Sequence, residues 1–407
     1  MATNVTLTAD IIAKAAIMQL DNNLVMAKQV FRGYEEEFAK NVNGYEVGST
    51  ITIRRPMDFT VRDGAVMNVQ DVTEGKFTMT VDKRKGVDFE FTSQDLTLNI
   101  KQLSDRVIKP GMIQLANQVD ADLMAQYVNV PNWVGTPGQT INSFSDFAKG
   151  PERMDEGAIA LDDRSAVLSP ADHWGLLGSQ TSLYIQDAAK GAYRNGSLGM
   201  IGGVDTYMSQ NVPTHTVGSD VTTVTVNQSV ITTTISYSDV KDSNQQTITI
   251  AGGTLNAGDV FTIADVYDVN PVTKATLSYL KQFTVVSYAA NSLVFSPAIL
   301  WTGAHKTASI TSGVTDLTGK AMVFQGTAST GYRQNMIFRK NAFALVSVPL
   351  IAPPGANDVS RQSYKGLNVR VIPVYDGTND VSRWRLDMLY GVKTVDARQA
   401  VRISGTA

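Results

Sequence analysis

The chain has 407 residues, of which 43% are hydrophobic and 18% charged, and its formal net charge is −3. This is the composition of a globular protein that is long enough for two or three domains with cores of their own. The slight acidic balance argues against a dedicated nucleic-acid-binding protein, which usually carries a basic excess. Cysteine is absent, which excludes disulfides, thiolate metal sites and cysteine nucleophiles and is typical of a protein made in a reducing cytoplasm.

Sequence signals for secretion and membrane insertion are missing as well. Residues 1–20 lack a basic region followed by an unbroken apolar run, so they do not resemble a signal peptide. Nowhere do about 18 apolar residues follow one another, so no membrane-spanning helix is expected.

The first predicted element is a short helical arm. Thr8 is a candidate N-cap for a helix over residues 9–20, and a second short helix is expected over 24–31. Because so short an arm has little core of its own, we expect it to pack on a partner rather than on its own domain. The acidic run that follows is most simply a solvated helix face, with a partner contact as the alternative; it consists of Glu35, Glu36 and Glu37.

A region of alternating strands follows. Residues 50–55, 77–81 and 87–91 alternate polar and apolar side chains, the pattern of half-exposed strands, and glycine-containing turns separate them. Their few large apolar side chains cannot bury a core within residues 46–92 alone, so we expect this excursion to be held by a neighbouring subunit. Basic residues at two places are either edge charges that prevent aggregation or contacts with an acidic surface of a neighbour; they are Arg54, Arg55, Lys83, Arg84 and Lys85.

Two helices are predicted in the middle of the chain. Apolar residues spaced by three or four predict a helix over about 108–130. Pro110 either kinks this helix or marks its first turn. Ser169-Pro170 is an N-cap followed by proline at the first helical position, which predicts a short helix over 171–177.

Residues 219–330 have a different composition, rich in Thr, Val, Ser and Ile. Short runs alternate apolar and polar side chains at close intervals, and Gly, Asn and Asp separate them, which predicts a compact β-barrel or sandwich. Helical patterns precede this region, and long alternating strands return after it over 369–375 and 384–390. An all-β unit between two parts of another domain is typical of an insertion.

No constellation of residues points to catalysis. The three histidines, His173, His215 and His305, are far apart and have no metal-ligand spacing, so no zinc site is expected and His173 is interpreted as structural. No Gly-x-Ser-x-Gly motif supports a serine nucleophile. Glycines at 313–321 and 196–203 loosely resemble phosphate-binding or dinucleotide-binding loops, but they lack the required spacing and are interpreted as turns. We therefore expect no catalytic residue, cofactor or metal.

Three blocks of sequence carry a family resemblance. They are residues 48–56 (GSTITIRRP), residues 199–215 (GMIGGVDTYMSQNVPTH), and residues 389–395 (LYGVKTV) with 400–403 (AVRI). In these blocks and in their order, the chain resembles coat proteins similar to that of phage P-twenty-two. The blocks resemble, in turn, the strand that opens the extended loop of that family, the segment before its inserted domain, and its C-terminal signature. The resemblance spans nearly the whole chain.

The resemblance implies an α+β fold, the Hong-Kong-97-type major capsid protein fold with an all-β inserted barrel domain. On this basis the N-terminal arm contacts a neighbour or a scaffold, and no covalent crosslink between subunits is expected. The implied parts are the N-terminal arm (1–45), an extended loop (46–92), a peripheral domain with a spine helix (93–155), the first part of an axial domain (156–217), the inserted domain (218–331), and closing strands of the axial and peripheral domains (332–407).

The implied function is that of a structural, non-enzymatic major capsid protein of a tailed double-stranded DNA bacteriophage. It would form the hexamers and pentamers of an icosahedral head, assembled in the cytoplasm of the host bacterium and present in the virion. The implied partners are other copies of the chain, a scaffolding protein, a portal and packaged DNA bound without sequence specificity, with no cofactor and no membrane. Two alternatives remain open: the shell of a non-viral nanocompartment, and a β-rich binding module.

Overall fold

The structure is a computed structural model that describes most of the chain. The candidate cap Thr8 and the acidic run Glu35, Glu36 and Glu37 lie outside the described residues. The described residues are 9–34, 38, 41–42, 45–46, 48–55, 57–67, 69–70, 72–92, 108–180, 198–228, 235–314, 316–353, 359–364 and 366–406.

The helices and strands alternate along the chain with strands in the majority. The α-helices are α1 (Ala9–Asn23), α2 (Met26–Gln29), α3 (Lys109–Met124), α4 (Phe144–Glu156), α5 (Pro170–Gln180) and α6 (Tyr237–Val240), with short 3₁₀ helices at Ala125–Asn129, Lys340–Ala342 and Ala397–Gln399. The strands are β1 (Asn41–Val42), β2 (Tyr45–Glu46), β3 (Thr50–Arg54), β4 (Lys76–Thr80), β5 (Lys83–Thr92), β6 (Trp133–Val134), β7 (Arg164–Leu168), β8 (Met200–Ile201), β9 (Val204–Met208), β10 (Thr214–Thr216), β11 (Thr225–Val226), β12 (Gln246–Ala251), β13 (Val260–Val269), β14 (Thr276–Ala289), β15 (Ser292–Ser296), β16 (Ala308–Ile310), β17 (Met322–Phe324), β18 (Gly331–Arg333), β19 (Asn335–Arg339), β20 (Phe343–Val348), β21 (Ser360–Tyr364), β22 (Leu367–Asp376), β23 (Val381–Thr394) and β24 (Ala400–Ile403).

Elements predicted from local patterns are present, some with shifted ends. Helix α1 runs slightly beyond the predicted helix, whereas α2 covers only part of 24–31. Helix α3, with Pro110 in its first turn, and the 3₁₀ helix that follows it together match the helix predicted over 108–130. The backbone N–H of Asp172 donates to Ser169 Oγ at 3.3 Å, so Ser169 caps α5 as predicted.

The chain divides into two compact units. Unit 1 comprises Met1–Ile51, Thr78–Leu123 and Phe343–Lys393. Unit 2 comprises Thr52–Phe77, Met124–Ala342 and Thr394–Ala407. The chain passes from one unit to the other several times, so neither unit is a continuous stretch of sequence.

Unit 1 is built on a five-stranded sheet around the long strand β23. The strand order is β20-β23-β22-β21, and β5 also pairs with β23. The antiparallel pairing of β5 runs from Thr92 opposite Val381 to Lys83 opposite Tyr390. Residues 83–92 therefore belong to a sheet of their own chain rather than to a free excursion, which corrects the expectation for this strand. Alternation identified the strand, but it contains no information about a partner so distant in sequence.

Helix α1 packs on β21 and β22 within unit 1. Ile12, Ala16 and Leu20 recur at every fourth residue, so they share one helix face, and each is at most 1% exposed. The prediction that the arm packs on a partner rather than on its own domain is wrong for α1. The residues next to α1 in the sequence provide little apolar surface. Strands β21 and β22, near the other end of the chain, provide it instead.

Unit 2 contains a six-stranded mixed sheet in the order β6-β24-β19-β7-β9-β8. Helix α4 packs on this sheet, where Phe147 and Met154 join Ile337 and Val401 in one buried core. The helix lies close to the sheet because Gly150 faces it: an added Cβ would lie 2.5 Å from Ile337 Cδ1. At the edge of the sheet, Gly202-Gly203 forms the turn between β8 and β9 with φ of 56° and 77°, as predicted for these glycines.

Residues 218–331, called the β-insert below, form the second part of unit 2. Their strands follow the order β11-β12-β15-β14-β13, and both β16 and β17 pair with β13. The backbone N–H of Met322 in β17 donates to the carbonyl of Val224 beside β11 at 3.0 Å, so the sheet closes into the predicted barrel. Phe261, Phe283 and Phe295 fill its centre with ring centroids 5.2 to 5.8 Å apart.

The β-insert joins the rest of unit 2 through buried polar contacts. The backbone N–H of Trp133 donates to Gln282 Oε1 at 2.8 Å, and Gln282 Nε2 donates to the carbonyl of Trp133 at 2.7 Å. Arg402 of β24, which is fully buried, donates to the carbonyl of Gly258 at 2.8 Å. These contacts satisfy polar groups that would be costly to bury unpaired.

Candidate assembly surfaces

The described residues of the loop 57–75, which connects β3 to β4, are held by polar contacts and expose apolar side chains. Gln70 Nε2 donates to the carbonyl of Thr60 at 2.6 Å, and the backbone N–H of Thr60 donates back to Gln70 Oε1 at 2.9 Å. Arg62 Nη1 donates to the carbonyl of Val66 at 3.1 Å. So many exposed apolar side chains in one loop are typical of a contact surface. Six of them are between 58% and 100% exposed: Phe59, Val61, Val66, Met67, Val69 and Val72.

The two predicted basic contact residues before this loop differ in accessibility. The Arg54 side chain is 81% exposed, and its Nη1 lies 2.9 Å from Glu74 Oε2 on the other side of the loop. Arg55 is half-buried, and its guanidinium lies 5.8 Å from the centroid of the Phe77 ring, within cation–π range. Arg54 is therefore the more accessible of the two to a partner.

The second predicted basic cluster, in β5, largely has partners in its own chain. Lys83 Nζ lies 3.2 Å from Asp122 Oδ1, and Arg84 Nη2 lies 2.9 Å from Asp387 Oδ2. Lys85 is half-buried. The acidic surface that the sequence suggested for a neighbouring molecule is thus supplied within unit 1 for Lys83 and Arg84.

Asp387 is the centre of a buried ion cluster. Besides Arg84, its carboxylate lies 2.5 Å from Arg370 Nη2 and 2.9 Å from Arg385 Nε. Burial acts to raise the pKa of Asp387, but the hydrogen bonds from Arg370, Arg385 and Arg84 outweigh it and hold the pKa below its usual value. The carboxylate therefore stays ionised and ties three strands of the sheet together.

A buried polar relay at the base of the β-insert was not found from the sequence. Tyr127 Oη lies 3.1 Å from His215 Nδ1, and His215 Nε2 lies 2.8 Å from Asp259 Oδ1. An Asp–His pair can activate a nucleophile when the third group meets a substrate, but here all three side chains are at most 9% exposed. Burial also raises the pKa of the Tyr127 hydroxyl. The arrangement suits structural bonding rather than chemistry on a substrate.

Other candidate sites from the sequence are accounted for by packing. His173 is buried in α5 beside Trp174, with ring centroids 6.1 Å apart. Gly313 and Gly319 lie in turns between β16 and β17. In the described part of the chain, no group of three or more His, Asp or Glu side chains is placed to hold a metal ion. The same residues include no helix with the length and apolar character to cross a membrane.

The structure thus combines an α+β fold, an inserted β-barrel and a loop that exposes apolar side chains. The chain belongs to the P22 coat protein family: it matches the family described as "P22 coat protein - gene protein 5" over residues 1–404. A comparison with curated protein sequences finds no match.

Several solved structures are similar to this chain at low identity. A structure from Mycobacterium phage Che8 is 14% identical, covers 93% of this chain and 90% of that one, and gives a TM-score of 0.49. The capsid of Ralstonia phage GP4 is 8% identical, covers 89% and 85%, and gives 0.43. The CUS-3 coat protein I-domain is 24% identical, covers 25% of this chain and 95% of that one, and gives 0.20. The family match, and not these distant likenesses, carries the assignment.

Family membership defines both fold and role. The chain has the Hong-Kong-97-type capsid fold and is a structural major capsid protein of a tailed phage. Copies of it assemble into the shell, so it is a component of the virion capsid. This assignment separates it from the two alternatives, the nanocompartment shell and the β-rich binding module.

Proposed function

We propose that this capsid protein forms the hexamers and pentamers of an icosahedral head around double-stranded DNA, and that it has no catalytic role. A scaffolding protein and a portal are its proposed assembly partners, and the cytoplasm of the host bacterium is the proposed place of assembly. The net charge of −3 suits non-specific enclosure of DNA rather than a grip on its phosphates. The proposed domain division remains that of the family, with the β-insert between two parts of the axial domain.

The observation that carries this proposal is the apolar loop of residues 57–75. Its six exposed apolar side chains remain 58% to 100% exposed in their own subunit. Full burial of such a side chain contributes about 1.5–3 kcal/mol, and a closed shell places the same loop of every copy against a neighbour. The loop is therefore the proposed main contact between adjacent subunits.

Charged residues are proposed to orient this contact. Arg54 is the best-placed of the predicted basic residues, because its side chain is 81% exposed. Arg55, Lys83, Arg84 and Lys85 are less free to reach a neighbour. The acidic run of residues 35–37 remains a proposed partner contact.

The test replaces the four most exposed of the six apolar side chains, each at least 76% exposed. The subunit with Val61, Val66, Met67 and Val69 all changed to Ser should stay folded but form no closed particles in negative-stain electron microscopy. The matched control is Val272→Ser with Val323→Ser, two valines of the β-insert that are 72% and 62% exposed. This control should assemble normally. Normal particles from the loop variant would contradict the proposal.

A further inference from the structure

The loop of residues 57–75 contacts other parts of unit 2 at two points. At the first, Asp58 Oδ2 lies 3.8 Å from His305 Nδ1 and 3.7 Å from Arg398 Nη1. His305 in turn stacks on Tyr237, with ring centroids 3.4 Å apart and an angle of 5° between the planes. A carboxylate of the loop is therefore held between the β-insert and the C-terminal segment.

At the second point, the other end of the loop meets the short helix α6 and the turn after it. The backbone N–H of Lys76 donates to Asp242 Oδ1 at 2.9 Å. A Cβ added to Gly75 would lie 2.5 Å from the carbonyl oxygen of Lys241 and 3.2 Å from Tyr237 Oη. Only glycine permits so close a backbone approach. Tyr237 thus takes part in both contacts.

The surroundings of Asp58 are predominantly basic. Burial lowers the pKa of His305, and the nearby Asp58 carboxylate opposes this shift. Burial likewise lowers the pKa of Lys274, again opposed by Asp58. Arg398 is fixed in place by Asp396, whose Oδ1 lies 3.0 Å from Arg398 Nε. The Asp58 carboxylate thus lies near His305 and Arg398, which come from separate segments of the chain.

We propose that the β-insert, together with Arg398, clamps the loop of its own subunit and fixes its direction before any neighbour binds. The contacts are made by Asp58, Gly75 and Lys76 at the two ends of the loop. The exposed apolar side chains all lie between these ends and stay free. The importance of the clamp for assembly rests on the proposed function, since it matters there only if the loop is a contact surface.

The physical advantage of such a clamp is a loop that is ordered in advance. Ordering a flexible chain costs about 1–2 kcal/mol per residue. A clamp that acts in the free subunit moves part of this cost from assembly to folding, which strengthens association without adding any contact to the interface. Each clamp contact is partly exposed and individually weak, so both ends are needed.

The experiment is hydrogen–deuterium exchange of the unassembled, full-length subunit, followed by mass spectrometry of peptides from the loop. The variants are Asp58→Ala, which removes the first contact, and Gly75→Ala, which forces the second apart. The matched controls are Asp63→Ala, an exposed carboxylate of the same loop, and Gly48→Ala, where an added Cβ meets nothing within 4 Å. A double variant, Asp58→Ala with Arg398→Ala, measures whether the two groups act together.

We expect loop amides to exchange about tenfold faster in Asp58→Ala and Gly75→Ala and within about twofold of wild type in both controls. The double variant should exchange no faster than Asp58→Ala alone. Unchanged exchange in either clamp variant, or equal acceleration in the controls, would overturn the clamp. Because the measurement uses free subunits, its failure is distinct from failure of the loop as an assembly contact, which the serine variants test by particle formation.

Discussion

The β-insert and the loop of residues 57–75 use apolar side chains in opposite ways. In the β-insert, the strands enclose one barrel core, in which Phe261, Phe283 and Val285 are fully buried. In the loop, backbone and polar side chains bind each other, and apolar side chains such as Val61 and Val66 face solvent. Both regions contain β-type or irregular backbone and similar residue types. Only the β-insert buries its apolar side chains within the subunit.

The two regions differ in where their apolar side chains find a partner. A barrel closes its sheet, so burial and backbone pairing are both completed by its own strands. A loop of this length cannot enclose a core, so its apolar groups either lose the free energy of burial or gain it from another molecule. In a shell-forming protein the second outcome is available at every copy. Exposed apolar side chains thus indicate a contact surface in the loop, whereas in the barrel core they would indicate a packing defect.

The largest effect is expected when a charged residue replaces a buried apolar residue of the barrel. Val285→Asp places a carboxylate in a position that is 0% exposed, and an unpaired buried charge is among the few changes that cost more than about 4 kcal/mol. The full-length subunit should lose the cooperative unfolding transition of the β-insert, measured by circular dichroism during urea denaturation. Val323→Asp, on the same barrel at 62% exposure, should change little. Similar losses in both variants would mean that the barrel core does not depend on burial at Val285.

A smaller effect is expected at Asp120, a carboxyl group that the fold already buries. Asp120 in α3 accepts the backbone N–H groups of Val25 at 2.6 Å and Ala27 at 2.9 Å, which ties the N-terminal segment to the helix. Burial raises the pKa of Asp120 from 3.8 to about 6, although the two N–H groups and the nearby Arg32 and Lys28 oppose the shift.

The raised pKa of Asp120 determines how the free energy of unfolding depends on pH. Because the folded pKa is raised, this group's contribution to stability is fully present below pH 3.8 and is lost as pH rises through about 6. The lost contribution is about 3 kcal/mol for a shift of this size. The Asp120→Asn variant should therefore show a smaller loss of unfolding free energy between pH 4 and 7 than wild type, by urea denaturation at each pH. Identical pH profiles in the two proteins would contradict the assignment.

Local sequence patterns predicted much of this architecture because the relevant information is local. Alternation located β11 to β15 of the β-insert but not β16 or β17, an apolar stripe located α3, and Ser169-Pro170 located the start of α5. The glycine pair at 202–203 was identified as a turn for the same reason, since glycine adopts the positive φ angles found there without steric cost.

Pairings between distant segments could not be predicted in this way. The partner of β5 is β23, and the partners of α1 are β21 and β22, and no periodicity encodes such choices. The relay of Tyr127, His215 and Asp259 is also assembled from distant positions. Asp120 does leave a signal, because it stands at the buried register of α3, four residues after the buried Ala116. An acidic residue on an apolar helix face indicates a polar partner but does not identify it.

The smallest effect on stability, and the sharpest test of the loop, is expected at the Arg54–Glu74 ion pair. The Arg54 and Glu74 side chains are 81% and 42% exposed, so losing the pair should change the unfolding free energy by less than about 1 kcal/mol. Arg54→Glu should nevertheless reduce the yield of closed particles, measured by sedimentation and electron microscopy. Two explanations for such a reduction are possible: a lost bond within the loop, or a lost contact with an acidic surface on the neighbouring subunit.

The charge swap Arg54→Glu with Glu74→Arg separates these explanations, because it restores an ion pair inside the loop while reversing the charge shown to a neighbour. We expect the swap to assemble as poorly as Arg54→Glu alone, since the proposed contact requires a positive charge at position 54. Glu74→Gln, which removes the pair but keeps Arg54, should assemble nearly as well as wild type. Full recovery in the swap would assign Arg54 to the internal shape of the loop. The contact surface would then consist of the apolar side chains alone. The loop and the barrel would then differ only in whether their apolar side chains are buried within the subunit.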